Sequence, residues 1–221
     1  MTRALKYAAD RVAAALLLAV LSPVLLAIAL WIIFDSGRPA LLRQPRAGKN
    51  GRPFQMFKFR TMVQNAVEVG RELNLSEDPF GVVKNDPRIT RPGRFLRRTG
   101  LDELPQLLNV LRGQMSLVGP RPDLVEQAAN YTNSDRRRLA VLPGITGWSQ
   151  VQGREEIPWP ERIALDIWYI DHWSLRLDLK ILFMTVTQLG RGEPEPVEDT
   201  MNIERMRRAG SMRGFGSHRD R

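Results

Sequence analysis

The stretch TGLDELPQ at Thr99–Gln106 places two adjacent carboxylates, Asp102 and Glu103, at the expected start of a helix. Four leucines that follow recur at the i, i+3, i+4 and i+7 spacing of a buried helix face: Leu104, Leu107, Leu108 and Leu111. Because proline lacks an N–H and is tolerated in a first turn, Pro105 predicts a helix that begins near Leu101 or Asp102. Asp102 then lies at or beside the N-cap, where a carboxylate accepts from unpaired backbone N–H groups.

Basic side chains surround this carboxylate pair in the sequence. Arginines recur through residues 88–98, and Arg97 keeps their three-residue spacing while lying close to the pair. Arg121 lies between two prolines, which restrict its backbone. Lys58 and Arg60 are two further cations and lie on a predicted strand. An isolated Asp-Glu pair is most simply a helix cap with a surface acid, but this cationic setting favours a site that handles a phosphate ester with a metal ion.

The composition excludes several other kinds of site. The chain has 221 residues, a net charge of +9, no cysteine and two histidines. Disulfides, thiolate metal sites and a cysteine nucleophile are therefore excluded, and a zinc site or a Ser-His-Asp triad is poorly supported. Such a positive charge suits nucleic acid, an anionic membrane surface or phosphorylated substrates, although no nucleotide-binding P-loop or dinucleotide fingerprint occurs.

An apolar run from Ala13 to Phe34, interrupted only by Ser22 in its middle, is long enough to cross roughly 30 Å of hydrocarbon. Pro23 follows that serine and removes a backbone hydrogen bond, which predicts a break or a kink. Lysines and arginines flank the run on both sides, and both flanks then favour the cytoplasm. A bent, re-entrant helix satisfies this rule, but the residues alone do not decide between it and an ordinary proline-kinked transmembrane helix.

The remaining pattern predicts an α-rich α+β fold with short strands and amphipathic interfacial helices. A basic loop is expected over 37–52, a strand over Pro53–Arg60, and a loop from Ser76 to Arg94 that contains Pro92 as a helix breaker. The predicted domains are a membrane segment at 1–36, a catalytic domain at 37–190 and a disordered basic tail at 191–221.

Several motifs in this order resemble the bacterial sugar transferases known as monotopic phosphoglycosyl transferases, or polyprenyl-phosphate hexose-1-phosphate transferases. The resemblance covers about Lys6 to Leu189. Its motifs are Ser22-Pro23, KFRTM at 58–62, DPRIT at 86–90, GRFLRRT at 93–99, LDELPQ at 101–106, MSLVGPRP at 115–122 and PGITGW at 143–148. Gly100 departs from the family pattern, in which serine is common, and is expected to loosen the turn before Asp102.

The resemblance implies transfer of a hexose 1-phosphate from a UDP-sugar to polyprenyl (undecaprenyl) phosphate, with Mg²⁺ and release of UMP. It implies that Asp102 is the nucleophile and carries a covalent phospho-sugar, and that Glu103, with Asp102, holds the metal. Lys58, Arg97 and Arg121 are then the phosphate contacts, and Arg60 is a further candidate.

The same resemblance implies a re-entrant helix broken at Ser22 and Pro23, anchored in the bacterial inner membrane from the cytoplasmic face. Membrane lipids are then partners and nucleic acid is not, while a homodimer remains open. The sequence leaves two alternative hypotheses open. The enzyme could catalyse the same transfer in a direct ternary complex, or the chain could be a basic membrane-anchored binding module without catalysis.

Overall fold

The computed structural model describes residues 2–73, 86–153 and 157–188, in which helices dominate over short strands. The helices are α1 (Arg3–Ser36), α2 (Ala66–Glu72), α3 (Arg91–Thr99), α4 (Leu107–Leu111), α5 (Val125–Ala129), α6 (Trp148–Gln152), α7 (Trp159–Asp171) and α8 (Leu175–Gln188). The strands are β1 (Leu41–Ala47), β2 (Pro53–Phe59), β3 (Ser116–Val118) and β4 (Gly144–Thr146). Short 3₁₀ helices occupy Lys49–Gly51, Leu101–Gln106 and Asp135–Ala140. The predicted helix-rich fold with a few short strands is confirmed.

The long first helix, α1, is continuous over 34 residues. It runs through Ser22 and Pro23, so the helix is not interrupted at the position where a break or a kink is predicted. The Ser22 hydroxyl donates to the carbonyl of Ala19 at 2.8 Å, one turn back along the same helix. Among the described residues, α1 is a helix long and apolar enough to cross a bilayer, and 11% of its most apolar window is buried.

The described residues form two compact units. The first comprises 2–44, 56–73, 86–113 and 186–188, and the second comprises 45–55, 114–153 and 157–185. β1 pairs with β2, and β3 pairs with β4 in a parallel sheet whose register aligns Ser116 with Gly144. β1 falls within the stretch predicted as a basic loop, so that prediction is wrong for Leu41–Ala47.

Both halves of α1 pack on other parts of the first unit. Near its start, α1 packs on α4, and the Arg11 guanidinium lies so close to Gly113 that a Cβ there would collide with it. Near its end, Ile28 and Ile32 join a buried cluster with Leu96 of α3. Large apolar side chains of α1 remain exposed between and beside these contacts, among them Val20 with an exposed fraction of 75% and Phe34 with 84%.

α3 begins inside the segment predicted as a loop. Thr90 is its N-cap and accepts from the backbone N–H of Gly93 at 3.0 Å, while Pro92 lies in the first turn. A proline there lacks only a donor that has no helical partner anyway, so Pro92 starts the helix instead of breaking it. The other predicted loop residues, 76–85, lie outside the described residues.

Candidate active site

The 3₁₀ helix at Leu101–Gln106, here called the dyad helix, carries the carboxylate pair. Gly100 precedes it with φ at 70°, ends α3 and serves as the N-cap, so Asp102 lies in the first turn and not at the cap itself. Glycine adopts this left-handed conformation without strain, which makes Gly100 a defined turn residue. The start at Leu101 confirms the boundary predicted from Pro105.

The two carboxylates differ in exposure. Asp102 has an exposed fraction of 9%, and Glu103 is half-buried beside it. The dyad helix continues into α4, so both acids lie at the positive N-terminal end of a longer helical segment. Negatively charged groups, a bound phosphate among them, are favoured at such an end.

Arg97 belongs to the same unit as the dyad and is held by the end of β2. Its Nε atom donates to Thr61 Oγ1 at 2.9 Å, and α3 packs on the dyad helix. The charge of Arg97 also contributes to lowering the pKa of Asp86, after the larger effect of hydrogen bonds from Arg88. A half-buried guanidinium tethered in this way can stabilise negative charge with little loss of side-chain entropy.

Lys58 lies on β2, which is fixed to the helix that follows the dyad. The backbone N–H of Phe57 donates to Asn109 Oδ1 at 3.0 Å, and Asn109 is fully buried in α4. A buried bond of this kind sets the strand's register against the helix, because losing it leaves an unpaired donor. Lys58 is half-buried and directly follows this anchored residue.

Arg60 has a different environment from the other candidate phosphate contacts. Its Nη2 atom donates to the Ser36 carbonyl at 2.9 Å, to Ser36 Oγ at 3.0 Å and to the Gly37 carbonyl at 2.5 Å. These acceptors belong to the C-terminal end of α1, where backbone carbonyls lack helical partners. Burial lowers the pKa of Arg60, although Asp35 partly offsets this. The geometry therefore favours a helix-capping role over the predicted phosphate contact.

Arg121 belongs to the second unit. It is half-buried and lines a small pocket with Gly48, Tyr131 and Arg138. The structure thus groups Lys58, Arg97 and the two acids in one unit and describes Arg121 within the other.

Sequence reasoning missed the most buried charges in this part of the fold. Arg138 has an exposed fraction of 5% and pairs with Asp123 and Asp166. In the sequence, Asp166 follows Arg162 by one helical turn, a spacing that fits either an ion pair or a shared ligand-binding face. In the structure, Asp166 accepts instead from Arg138 Nε and from Ser149 Oγ, both at 2.7 Å.

The carboxylate pair suits a hard divalent cation. Mg²⁺ is commonly bound by one or two carboxylates together with substrate phosphates and water, and Asp102 and Glu103 supply this donor set. No group of three or more metal-ligating side chains occurs among the described residues. The two carboxylates fit an ion whose remaining ligands are water and substrate phosphate oxygens.

Comparison with known proteins places these residues in a family. The model of the bacterial sugar transferase family matches residues 1–192. Sugar transferase EpsL of Bacillus subtilis is 44% identical over 84% of this chain and 87% of its own length. The undecaprenyl-phosphate galactose phosphotransferase of Salmonella typhimurium is 43% identical over 83% of this chain. The UDP-glucose:undecaprenyl-phosphate glucose-1-phosphate transferase of Escherichia coli is 44% identical over 84% of this chain. The matched part is 40% of the length of each of these two relatives. The chain belongs to the bacterial sugar transferase family and is an enzyme of the sugar-phosphate transferase type.

Proposed function

We propose that this enzyme transfers a hexose 1-phosphate from a UDP-sugar to polyprenyl (undecaprenyl) phosphate and releases UMP, as the first membrane step of glycoconjugate synthesis. The observation that carries the proposal is the nearly buried Asp102 beside Glu103, at a helix start in the unit that also contains Arg97 and Lys58. The Salmonella and Escherichia relatives are named for transfer of galactose phosphate and glucose 1-phosphate to undecaprenyl phosphate.

The proposed chemistry has two displacements at one phosphorus atom. A carboxylate oxygen of Asp102 attacks the sugar-bearing phosphorus, the bond to the bridging oxygen breaks, and UMP leaves with that oxygen. An oxygen of polyprenyl phosphate then attacks the phospho-sugar, which releases the Asp102 carboxylate and gives a polyprenyl diphosphate sugar. Covalent catalysis of this kind lets a soluble donor and a membrane-bound acceptor use one site in turn.

Electrostatics explains why cations must surround this nucleophile. Two like charges about 4 Å apart repel by about 4 kcal/mol at an effective dielectric constant near 20. Arg97, Lys58 and, by its place in the family motif, Arg121 offset this repulsion at the diphosphate. Mg²⁺, when bound through Glu103 and Asp102, supplies further neutralising charge. Such charge stabilisation is the main contribution of a protein to phosphoryl transfer.

The membrane path of α1 is part of the proposal. We infer that α1 enters and leaves one leaflet, with its bend at Ser22 and Pro23, so that the protein is monotopic on the cytoplasmic face of the bacterial inner membrane. Support comes from the contacts of both its halves with the first unit, since a helix that crossed the bilayer would carry its two ends to opposite sides. The basic residues on both flanks agree with one cytoplasmic side.

This topology gives the proposed domain division: a membrane segment at 1–36 and a catalytic domain at 37–190. The third proposed domain, the basic tail at 191–221, lies outside the described residues. The partners are a UDP-sugar, polyprenyl phosphate and membrane lipids, with no nucleic acid, and a homodimer is compatible with the proposal. Leu175, Leu179 and Phe183 along α8 are exposed by 47%, 59% and 71%, as expected of an amphipathic helix at a lipid interface.

The experiment is a turnover assay in nanodiscs with a panel of UDP-sugars, polyprenyl phosphate and Mg²⁺, scored by UMP release. Asp102→Asn is expected to lower turnover on the order of 10³-fold or more while its melting temperature stays near that of the parent enzyme. Glu126→Gln, at an exposed acid of α5, is the matched control and is expected to keep full turnover. UMP release by Asp102→Asn at the rate of the control would contradict the proposal, as would salt-sensitive anion binding with no turnover of any UDP-sugar.

A further inference from the structure

The buried guanidinium of Arg138 is bonded on every side. Its Nε donates to Asp166 Oδ2 at 2.7 Å, and its Nη1 donates to the Tyr131 hydroxyl at 2.7 Å and to Asp123 Oδ2. Its Nη2 donates to the backbone carbonyl of Arg121 at 2.9 Å. Arg138 therefore joins a pair of acids to one main-chain carbonyl in the second unit.

The two acids are themselves fixed from other elements. Asp166 also accepts from Ser149 Oγ at 2.7 Å, and Asp123 also accepts from Trp159 Nε1 at 3.3 Å. Burial opposes the charged form of Arg138, but the carboxylates of Asp123 and Asp166 outweigh it and raise its pKa above the usual value. The guanidinium is thus permanently charged and held at a fixed place.

A gain in folding stability does not by itself explain why these charged groups are buried together. A buried ion pair is often no better for stability than well-packed apolar residues of the same volume, because desolvation offsets the attraction. A network of this kind does fix geometry, since each partner has few positions in which all its bonds are made. Among the groups whose position it fixes in this fold is the peptide carbonyl of Arg121.

The segment that carries Arg121 is held at each successive carbonyl. The Pro120 carbonyl accepts from Gly144 N at 2.9 Å, and the Pro122 carbonyl accepts from Arg46 Nη1 at 3.1 Å. The Asp123 carbonyl accepts from Ala47 N at 2.9 Å. The Arg121 carbonyl lies between these and depends on a side chain, so Arg138 completes the series.

We infer that Arg138 is a positioning residue that acts through Arg121: by fixing the Arg121 carbonyl, it sets the direction in which the Arg121 side chain meets the substrate phosphate. This inference rests on the proposed function, in which Arg121 contacts a phosphate of the donor or acceptor. Catalytic geometry is sensitive to such positioning, because a misplacement of about 1 Å can lower a rate on the order of 10²-fold.

The test is a double-mutant cycle of Arg138→Lys with Arg121→Ala, measured as kcat/KM for UMP release well below the melting temperature of every variant. Lysine keeps the positive charge near Asp123 and Asp166 but lacks the planar fork that reaches all four partners. Arg138→Lys is expected to lower kcat/KM about 10- to 100-fold in the parent enzyme. It is expected to change kcat/KM less than about 3-fold when Arg121 is already alanine.

The melting temperature separates positioning from a general loss of structure. Arg138→Lys should lower the melting temperature equally in the parent enzyme and in Arg121→Ala, whereas it should lower kcat/KM only in the parent enzyme. Arg137→Lys is the matched control, because Arg137 is the exposed neighbour and pairs with Asp171 at 2.7 Å. It is expected to leave kcat/KM unchanged.

A second variant keeps the test decisive where Arg138→Lys does not fold. Tyr131→Phe removes the hydroxyl that joins Arg138 to Asp123 and retains the ring packed on Trp159, with ring centroids 5.6 Å apart. It should show the same dependence on Arg121 with a smaller effect.

Equal losses of kcat/KM in both backgrounds, or no loss in the parent enzyme, would overturn the positioning role. Full activity of Arg121→Ala would overturn it too, while leaving the proposed transfer intact. Absence of UMP release by the unmodified enzyme would instead overturn the proposed function.

Discussion

Replacing Arg60 tests whether this cation holds the end of the membrane helix or contacts substrate. Arg60→Met keeps much of the side-chain volume and removes the guanidinium that donates to the carbonyls of Ser36 and Gly37. Arg60 is 6% exposed, so solvent reaches these acceptors poorly after the change.

The expected loss of unfolding free energy follows from two hydrogen bonds of Arg60 Nη2, to the Ser36 carbonyl at 2.9 Å and to the Gly37 carbonyl at 2.5 Å. A hydrogen bond to a charged group contributes about 1.5–3 kcal/mol, and two bonds from one nitrogen are not additive, so about 3 kcal/mol is expected. For a chain of 221 residues this corresponds to a fall in melting temperature of about 6–12 °C.

The assay is thermal unfolding in nanodiscs together with the KM for UDP-sugar, measured about 20 °C below the melting temperature of the parent enzyme. Arg94→Met is the matched control, since Arg94 is an exposed arginine of α3 in the same unit, and little change in melting temperature is expected. An unchanged melting temperature with a KM raised about 10-fold, equivalent to about 1.4 kcal/mol of lost substrate binding, would refute the capping role and restore Arg60 as a phosphate contact.

Three further predictions concern other parts of the fold. Hydrogen bonds from Arg88 lower the pKa of Asp86, so their stabilising contribution is complete above the unfolded pKa of about 3.9 and is lost as pH falls through the folded value. Asp86→Asn should therefore flatten the melting temperature between about pH 5 and pH 3; an unchanged slope contradicts this. Gly93→Ala should destabilise the first unit by at least about 3 kcal/mol, because its Cβ would lie 2.0 Å from the Thr61 carbonyl oxygen, a contact with main chain that cannot move aside; a melting temperature like the parent's argues against the tight packing. Because α1 already anchors the protein, replacing Leu179 and Phe183 together by glutamine should lower cross-linking of α8 to a photoreactive lipid in nanodiscs without lowering the melting temperature; unchanged cross-linking, or a loss of stability, would show that this face does not meet lipid.

Local patterns in the sequence predicted much of the secondary structure. The leucine spacing after Glu103 and the tolerance of Pro105 in a first turn placed the start of the dyad helix correctly at Leu101. Proline misled the prediction elsewhere: Pro92 starts α3, and α1 runs through Pro23. Pro92 lies in a first turn, where its missing N–H has no helical partner, and Pro23 lies inside a helix that continues on both sides of it.

Tertiary pairing was beyond the reach of sequence patterns. Arg60 looked like another cation on a strand, and only the fold brings it to the end of α1. Arg138 lies among exposed arginines in the sequence and is buried because Asp123 and Asp166 come to it from distant elements. A charged residue that pairs with residues far away in the sequence produces no periodic pattern along the chain. The partners of Arg60 and Arg138 are therefore identified only in the structure.

The central claim is that Asp102 bonds to phosphorus during the reaction, and mass spectrometry of the intact enzyme tests it most directly. The enzyme is mixed with UDP-sugar and Mg²⁺ in the absence of polyprenyl phosphate, quenched, and digested to locate any adduct. The account predicts one equivalent of UMP and a hexose phosphate attached to Asp102, which added polyprenyl phosphate then removes. An unmodified Asp102 in an enzyme that still turns over both substrates would contradict the covalent mechanism and favour a ternary complex.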